Sequence, residues 1–269
     1  MRAKIELSNS RLLTFVPFLG KQMQTDSSPK NTSKWLNFIK KTLPKSGQLS
    51  TYAITGTPII LEWQAYNPTS PECIQTIRNL SEIFIQTYTR QELEFARKWP
   101  EKVPTEMFLK DITPLFNRGV EHVNWKEAER HVRTKMEQFF ATNDFAVWAN
   151  SHDITIFVVA KNSSGGKLGA IQFSVTPDFE YGNVRAGLTG ILSYAQHRGI
   201  EKLLMSSIFK LLPTTSRIFL HNRPTNEQAL AMYHDWGFVP FAGTNADWPD
   251  FEYLTETTDI LQKTALLMS

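Results

Sequence analysis

The stretch HNRPTNEQALAMYHDWGF, residues 221–238, follows the apolar run SRIFLH (216–221), and the join between the two is the most informative place in the chain. The apolar run, rich in β-branched and aromatic residues, reads as a strand. TNEQ at 225–228 is a capping box, a threonine followed three positions later by glutamine, and it opens a helix. Gly237 closes that helix, because glycine takes the left-handed backbone at a helix end without a side-chain clash. Between these two signals, Ala229 and Tyr233 lie four residues apart and share one helical face.

Upstream, NVRAGLTGILSY (183–194) reads as a strand interrupted by Gly187 and Gly190. Glycine inside a strand signals a bulge or a close backbone approach. QHRGIEKLL (196–204) then turns into a helix from about Gly199 that buries Ile200, Leu203, Leu204, Ile208 and Leu211. Free amides and the positive end of the helix dipole at such a turn can hold an anion. Earlier still, ITIFVVAK (154–161) and KLGAIQFSV (167–175) flank NSSGG, a hairpin signal. PIILEWQAY (58–66) reads as another strand, and Ser70 with Pro71 opens a helix carrying Cys73, Ile77, Leu80, Phe84 and Tyr88 on one face. TRQE (89–92) is a second capping box, predicting a helical segment to about Lys98. Asn124 and Glu127 open a further helix, with Trp125, Ala128, Val132, Met136 and Phe139 as its buried stripe. FEYLTE (251–256) reads as the last strand.

Strand, QxxGx turn, helix, strand and then NxxAxxxYxxxGF (Asn226, Ala229, Tyr233, Gly237, Phe238) together resemble the GNAT superfamily of acyl-CoA N-acyltransferases. The likeness extends over roughly residues 57–255 and is sharpest over 184–241. It implies an α/β (α+β) fold, with a mixed central sheet splayed between the strands ending near Ser193 and at His221 and flanked by helices. Residues 1–55 would form a basic N-terminal extension, and 56–269 the acetyltransferase-like domain.

The resemblance also implies acetyl-CoA as co-substrate and no metal. The pantetheine arm would lie in the gap and pair with the backbone of Ile191, Leu192 and Ser193, with Asn226 and Ala229 as further cofactor-binding residues. The diphosphate would rest on the turn from Gln196, His197, Arg198 and Gly199 into Ile200 and Glu201. Tyr233 takes the place of the tyrosine that faces the thioester sulfur. His221, five residues before Asn226, stands where some members carry a glutamate; imidazole titrates near neutrality, which suits a general base. A backbone amide at Ile191 or Leu192, freed by the bulge, would meet the oxyanion.

Glu201 departs from the pattern, which asks for glycine or alanine there. At ~6 Å and an effective dielectric of 20, its charge would oppose a diphosphate by about 3 kcal/mol unless it turns outward. The alternative reading is therefore a binding or regulatory protein of the same fold with weak or lost catalysis.

The acceptor is expected to be an amine: a small molecule, a lysine side chain or an N-terminus. Asp247, Asp250 and Glu252 stand among Trp248, Phe251 and Tyr253, a combination suited to a cation, with Phe95 and Trp99 as the other wall. The net charge is +3, yet the first fifty residues hold nine Lys or Arg against Glu6 and Asp26. Within them KWLNFIKKTL (34–43) puts Trp35, Leu36, Ile39 and Leu43 on one face and Lys34, Lys40 and Lys41 on the other. Such a helix docks on its own domain, or contacts a partner or an acidic membrane surface. A homodimer is compatible with this chain, and no nucleic-acid module is visible. The six histidines show no metal-ligand spacing. A single cysteine, no run of ~18 apolar residues and an N-terminal LLTFVPFL broken by Pro17 suggest a cytoplasmic protein.

Overall fold

The computed structural model describes residues 29–66, 71–141, 154–175, 182–222, 226–241, 250–254 and 260–269. Its strands are β1 Ser46–Tyr52, β2 Pro58–Tyr66, β3 Ile154–Asn162, β4 Lys167–Val175, β5 Asn183–Ile191, β6 Arg217–His221, β7 Val239–Pro240 and β8 Asp250–Leu254. They form one sheet in the order β1-β2-β3-β4-β5-β6-β8-β7. β5 and β6 run parallel, while all other neighbours are antiparallel. Parallel neighbours require a crossover, here supplied by α4 (Ile200–Ser206) and α5 (Ile208–Leu211). The predicted mixed sheet and the hairpin at 162–166 are both present.

Helices cover the two faces. On one face, α1 (Pro29–Thr42), α4, α5, α6 (Glu227–Asp235) and α7 (Ile260–Leu266) meet Ile156, Val158 and Ala160 of β3 in the main core. On the other, α2 (Pro71–Lys98) and α3 (Trp125–Ala141) pack on Phe157, Val159, Ala170 and Leu188. β3 and β4 are thus buried on both faces, which is why they read as nearly unbroken apolar runs.

Two local readings change. The TRQE box does not start a new helix, because α2 runs unbroken from Pro71 to Lys98. Tyr88, Thr89, Glu92 and Leu93 are buried, so tertiary packing carries the helix through a motif that would otherwise cap one. The stripe of α3 ends on Phe140 rather than Phe139. The side chains of Cys73 and Ile77 lie outside the described residues.

The described part of residues 1–55 joins the sheet. β1, polar and with weak alternation, passes unnoticed in the sequence yet pairs with β2 along its whole length. Ser50 and the terminal Ser269 exchange backbone hydrogen bonds of 2.7 and 2.9 Å, covering part of this edge. α1 buries Trp35, Leu36 and Ile39 and leaves Lys40 and Lys41 exposed. The Trp35 indole N–H donates to Thr214 Oγ1 at 3.1 Å. The basic amphipathic helix therefore docks on its own sheet.

Candidate active site

β5 and β6 are in register only over Asn183–Arg185 and Arg217–Phe219. Beyond that point β5 continues to Ile191 and β6 to His221 without pairing, so the two strands part. The cause lies in β5. Ile171 faces Thr189 and Phe173 faces Ala186, leaving Gly187 and Leu188 opposite Gln172 alone. This is a β-bulge, which bends and over-twists its strand. Gln172, fully buried, fills it: its Oε1 accepts from the Leu188 N–H at 3.2 Å. A Cβ on residue 187 would stand 1.9 Å from that oxygen, so the close approach requires glycine there.

Past the bulge, the Leu192 N–H donates to the Leu168 carbonyl at 2.9 Å. In an antiparallel ladder this makes 189 and 191 non-hydrogen-bonded positions, with N–H and C=O pointing away from β4, toward the side on which β6 diverges. The expectation that Leu192 offers a freed amide is corrected: β4 consumes it, and the outward-pointing amides are those of Thr189 and Ile191. Consecutive side chains of α2 meet this edge. Tyr88 Oη accepts from the Thr189 N–H at 3.2 Å, and Thr87 Oγ1 donates to the Ile191 carbonyl at 3.3 Å. Sequence places Tyr88 only in the apolar stripe of α2 and does not mark Thr87, because nothing local in an α-helix announces contact with a strand a hundred residues away.

Across the gap, Asn226 caps α6, its Oδ1 accepting from the Ala229 N–H at 3.4 Å. The cap is Asn226; Thr225, the capping residue expected from TNEQ, lies outside the described residues. Asn222, buried at the end of β6, bonds Asn226 through both its amide nitrogen and its oxygen, each at 3.4 Å. Strand end and helix start are thereby held together, and Ala229 is buried beside them. One turn on, Tyr233 is fully buried between Trp236 and Phe238, and its hydroxyl has no hydrogen-bond partner among the described residues. Burial raises its pKa well above the usual phenol range, reinforced by Tyr88 and by the Glu201 charge. Tyr88, also fully buried, is raised mainly by burial as well. The two buried tyrosines are carried by helices on opposite faces of the sheet.

The turn from 192 to 201 follows. Ser193–Ala195 forms a single 3-10 turn, and Ser193, His197 and Arg198 are exposed. His197 and Gly199 both have positive φ, 63° and 74°. With its carboxamide oxygen toward α2, Gln196 accepts from both terminal nitrogens of Arg90 at 3.1 and 2.7 Å. The β1–β2 turn leans on this segment: the Ile54 N–H donates to the Arg198 carbonyl at 3.2 Å, and a Cβ at residue 199 would lie 2.6 Å from Ile54 Cδ1. Ile200 begins α4 in the core. Glu201 does not reach outward over the turn; it is 4% exposed and its charge acts on Tyr233.

His221 ends β6. Burial, then the positive charge of Arg185, pushes its imidazole down to about 3. It is neutral at pH 7, and so weak a base lies far from the near-neutral pKa that suits a general base, which corrects the expectation of an imidazole titrating near neutrality. Arg185, on β5, is itself lowered to about 10 by burial.

The expected acceptor walls fare differently. Asp247 and Trp248 lie outside the described residues. Glu252 is buried and paired with Arg217 at 2.9 Å, so its charge is already compensated. Phe251 and Tyr253 belong to the main core. Phe95 and Trp99 pack with Val103, Leu109 and Ile112 in a satellite core and do not form an open wall. Among the described residues no group of three His, Cys, Asp or Glu could hold a metal, and no helix is long and apolar enough to cross a membrane.

No family model matches this chain, and no curated protein matches it in sequence. Among solved structures it is similar to the PaiA N-acetyltransferase of Thermoplasma acidophilum in complex with coenzyme A, at 12% identity and a TM-score of 0.38, covering 71% of this chain and 98% of that one. It is also similar to the spermidine/spermine N-acetyltransferase SpeG of Vibrio cholerae, at 15% identity and a TM-score of 0.34, covering 48% of this chain and 78% of that one.

Proposed function

We propose that the chain is an acyl-CoA-dependent N-acyltransferase that moves an acetyl group from acetyl-CoA to an amine by direct attack within a ternary complex. The observation that carries this reading is the parted β5–β6 pair together with the fully buried Tyr233 hydroxyl, which lacks a partner among the described residues. A buried hydroxyl without a partner costs about 1–3 kcal/mol, a cost that is removed when a ligand atom receives its hydrogen bond. The sulfur of a thioester lying between the strands would be such an atom.

The residues present fit that ligand. The outward-facing amides of Thr189 and Ile191 would face the acyl carbonyl and the pantetheine arm, alongside Leu192 and Ser193. The turn Gln196, His197, Arg198, Gly199, Ile200 and Glu201 would receive the diphosphate, with Asn226 and Ala229 bounding the other side. A bound acetyl thioester supplies the activated acyl group. Tyr233, a poorer acid than a free phenol, would donate a hydrogen bond to the departing sulfur. A free thiol titrates near 8.5, and burial raises a thiolate's proton affinity as well, which narrows the mismatch. His221 would accept a hydrogen bond from the attacking amine, whose proton leaves to solvent water. The acceptor remains an amine of either class, small molecule or protein.

A second reading, the same fold with weak or lost catalysis, is favoured by Ile54 standing against Gly199 and by the buried Glu201 carboxylate. Thermal unfolding with acetyl-CoA and with CoA separates the two. Ligand at 100 times its Kd should add about 2.7 kcal/mol of stability, whereas no shift at millimolar ligand ends the enzyme reading. With binding established, acetyl-CoA consumption over an amine panel tests transfer itself.

A further inference from the structure

Resting on the acyltransferase reading, a role follows for a residue outside the sequence motifs. The Thr189 N–H, turned away from β4 by the register past the bulge, is held by Tyr88 Oη at 3.2 Å. Tyr88 is 1% exposed, so water does not compete for this bond. Its neighbour Thr87 donates to the Ile191 carbonyl on the same edge. α2 thus occupies, with two side chains, the backbone groups that an entering acyl chain would need. A phenol hydroxyl both accepts and donates, so the group that accepts from Thr189 can also donate to an oxygen placed beside that amide.

We propose that Tyr88 is a second hydrogen-bond donor at the reacting carbonyl, a hydroxyl that guards the Thr189 amide in the empty gap and joins it in holding the acyl oxygen once the thioester is bound. As the amine nitrogen bonds to the acyl carbon, the C=O π pair moves onto oxygen, where the Thr189 N–H and the Tyr88 O–H receive it. That pair returns to re-form the carbonyl as the C–S bond breaks. The sulfur leaves with the bonding electrons and takes up one proton, and the nitrogen gives one up to water. A donor aimed at developing charge in a site closed to water is worth far more than one in solution.

The test uses the full chain and its Tyr88→Phe variant, which keeps the ring and its packing. Hydrogen exchange of the Thr189 amide, followed by NMR in the free protein, should quicken at least about 10-fold in the variant. In the parent, acetyl-CoA should move the Thr189 amide resonance in a way that CoA, lacking the acyl oxygen, does not. Turnover should fall about 100-fold while acetyl-CoA affinity stays within about threefold. A variant that transfers at the parental rate, or whose Thr189 amide exchanges as in the parent, overturns the role and leaves the acyltransferase reading standing. A parent that binds no acetyl-CoA removes both. If Tyr88→Phe does not fold, a fluorotyrosine series at position 88 decides instead: turnover that follows phenol acidity supports the role, and a flat series overturns it.

Discussion

Replacing Gly187 with alanine tests the bulge on which the gap depends. The new methyl would stand 1.9 Å from Gln172 Oε1 and must displace it. That oxygen is the far end of a flexible side chain, so the main loss is not steric overlap. It is the 3.2 Å bond from the Leu188 N–H, a buried donor then left without its acceptor. An orphaned buried donor costs about 1–3 kcal/mol, while Gly→Ala in an otherwise permitted backbone returns about 0.4–1 kcal/mol by restricting the unfolded chain. The net expectation is a loss of about 1–2 kcal/mol, lowering the midpoint of thermal unfolding by about 2–8 °C. Urea unfolding should report it as a lower midpoint at unchanged slope. In a Gln172→Ala background the same substitution should cost almost nothing, so the double-mutant cycle should give a coupling above about 1 kcal/mol. A Gly187→Ala protein as stable as the parent, or two additive substitutions, would refute the account of the bulge.

Other expectations follow from the same site. On the proposed acyltransferase reading, Tyr233→Phe should separate function from stability: acetyl transfer falls about 10²–10⁴-fold, while the melting temperature rises, because a buried hydroxyl lacking a partner among the described residues is removed. Because the folded pKa of His221 lies below its unfolded value, the unfolded chain binds the proton more readily as pH falls below about 6.5. Its contribution to stability is complete above that pH and is lost toward pH 3, on the order of 1.4 kcal/mol per unit. Urea titrations at stepped pH should show this slope, and it should flatten in His221→Asn. Arg217→Met should destabilise by about 3–5 kcal/mol by stranding the buried Glu252 carboxylate, and Glu252→Met in the same chain should restore most of it. Trp35→Ala should cost about 3–5 kcal/mol in chemical unfolding if α1 is integral to the core.

Much of this protein was legible in its sequence because the relevant signals are local. The hairpin at 162–166, the interrupted strand with Gly187, the start of α6 within TNEQ and its close at Gly237 each depend on residues within a few positions of one another. So does the placement of Tyr233 on the inner face of its helix. The features that make a site were decided elsewhere. Whether α2 stops at its internal capping box, which way Glu201 turns and which amide of β5 β4 leaves unused depend on what lies opposite in the fold. Tyr88 meets Thr189, Gln172 enters the bulge at Leu188 and Trp35 reaches Thr214, none of them neighbours in the chain. Local periodicity and capping encode which face of an element is buried. The partner of a buried hydroxyl or amide is set only when distant segments are brought within hydrogen-bonding distance, and it is there that the chemistry of this gap was decided.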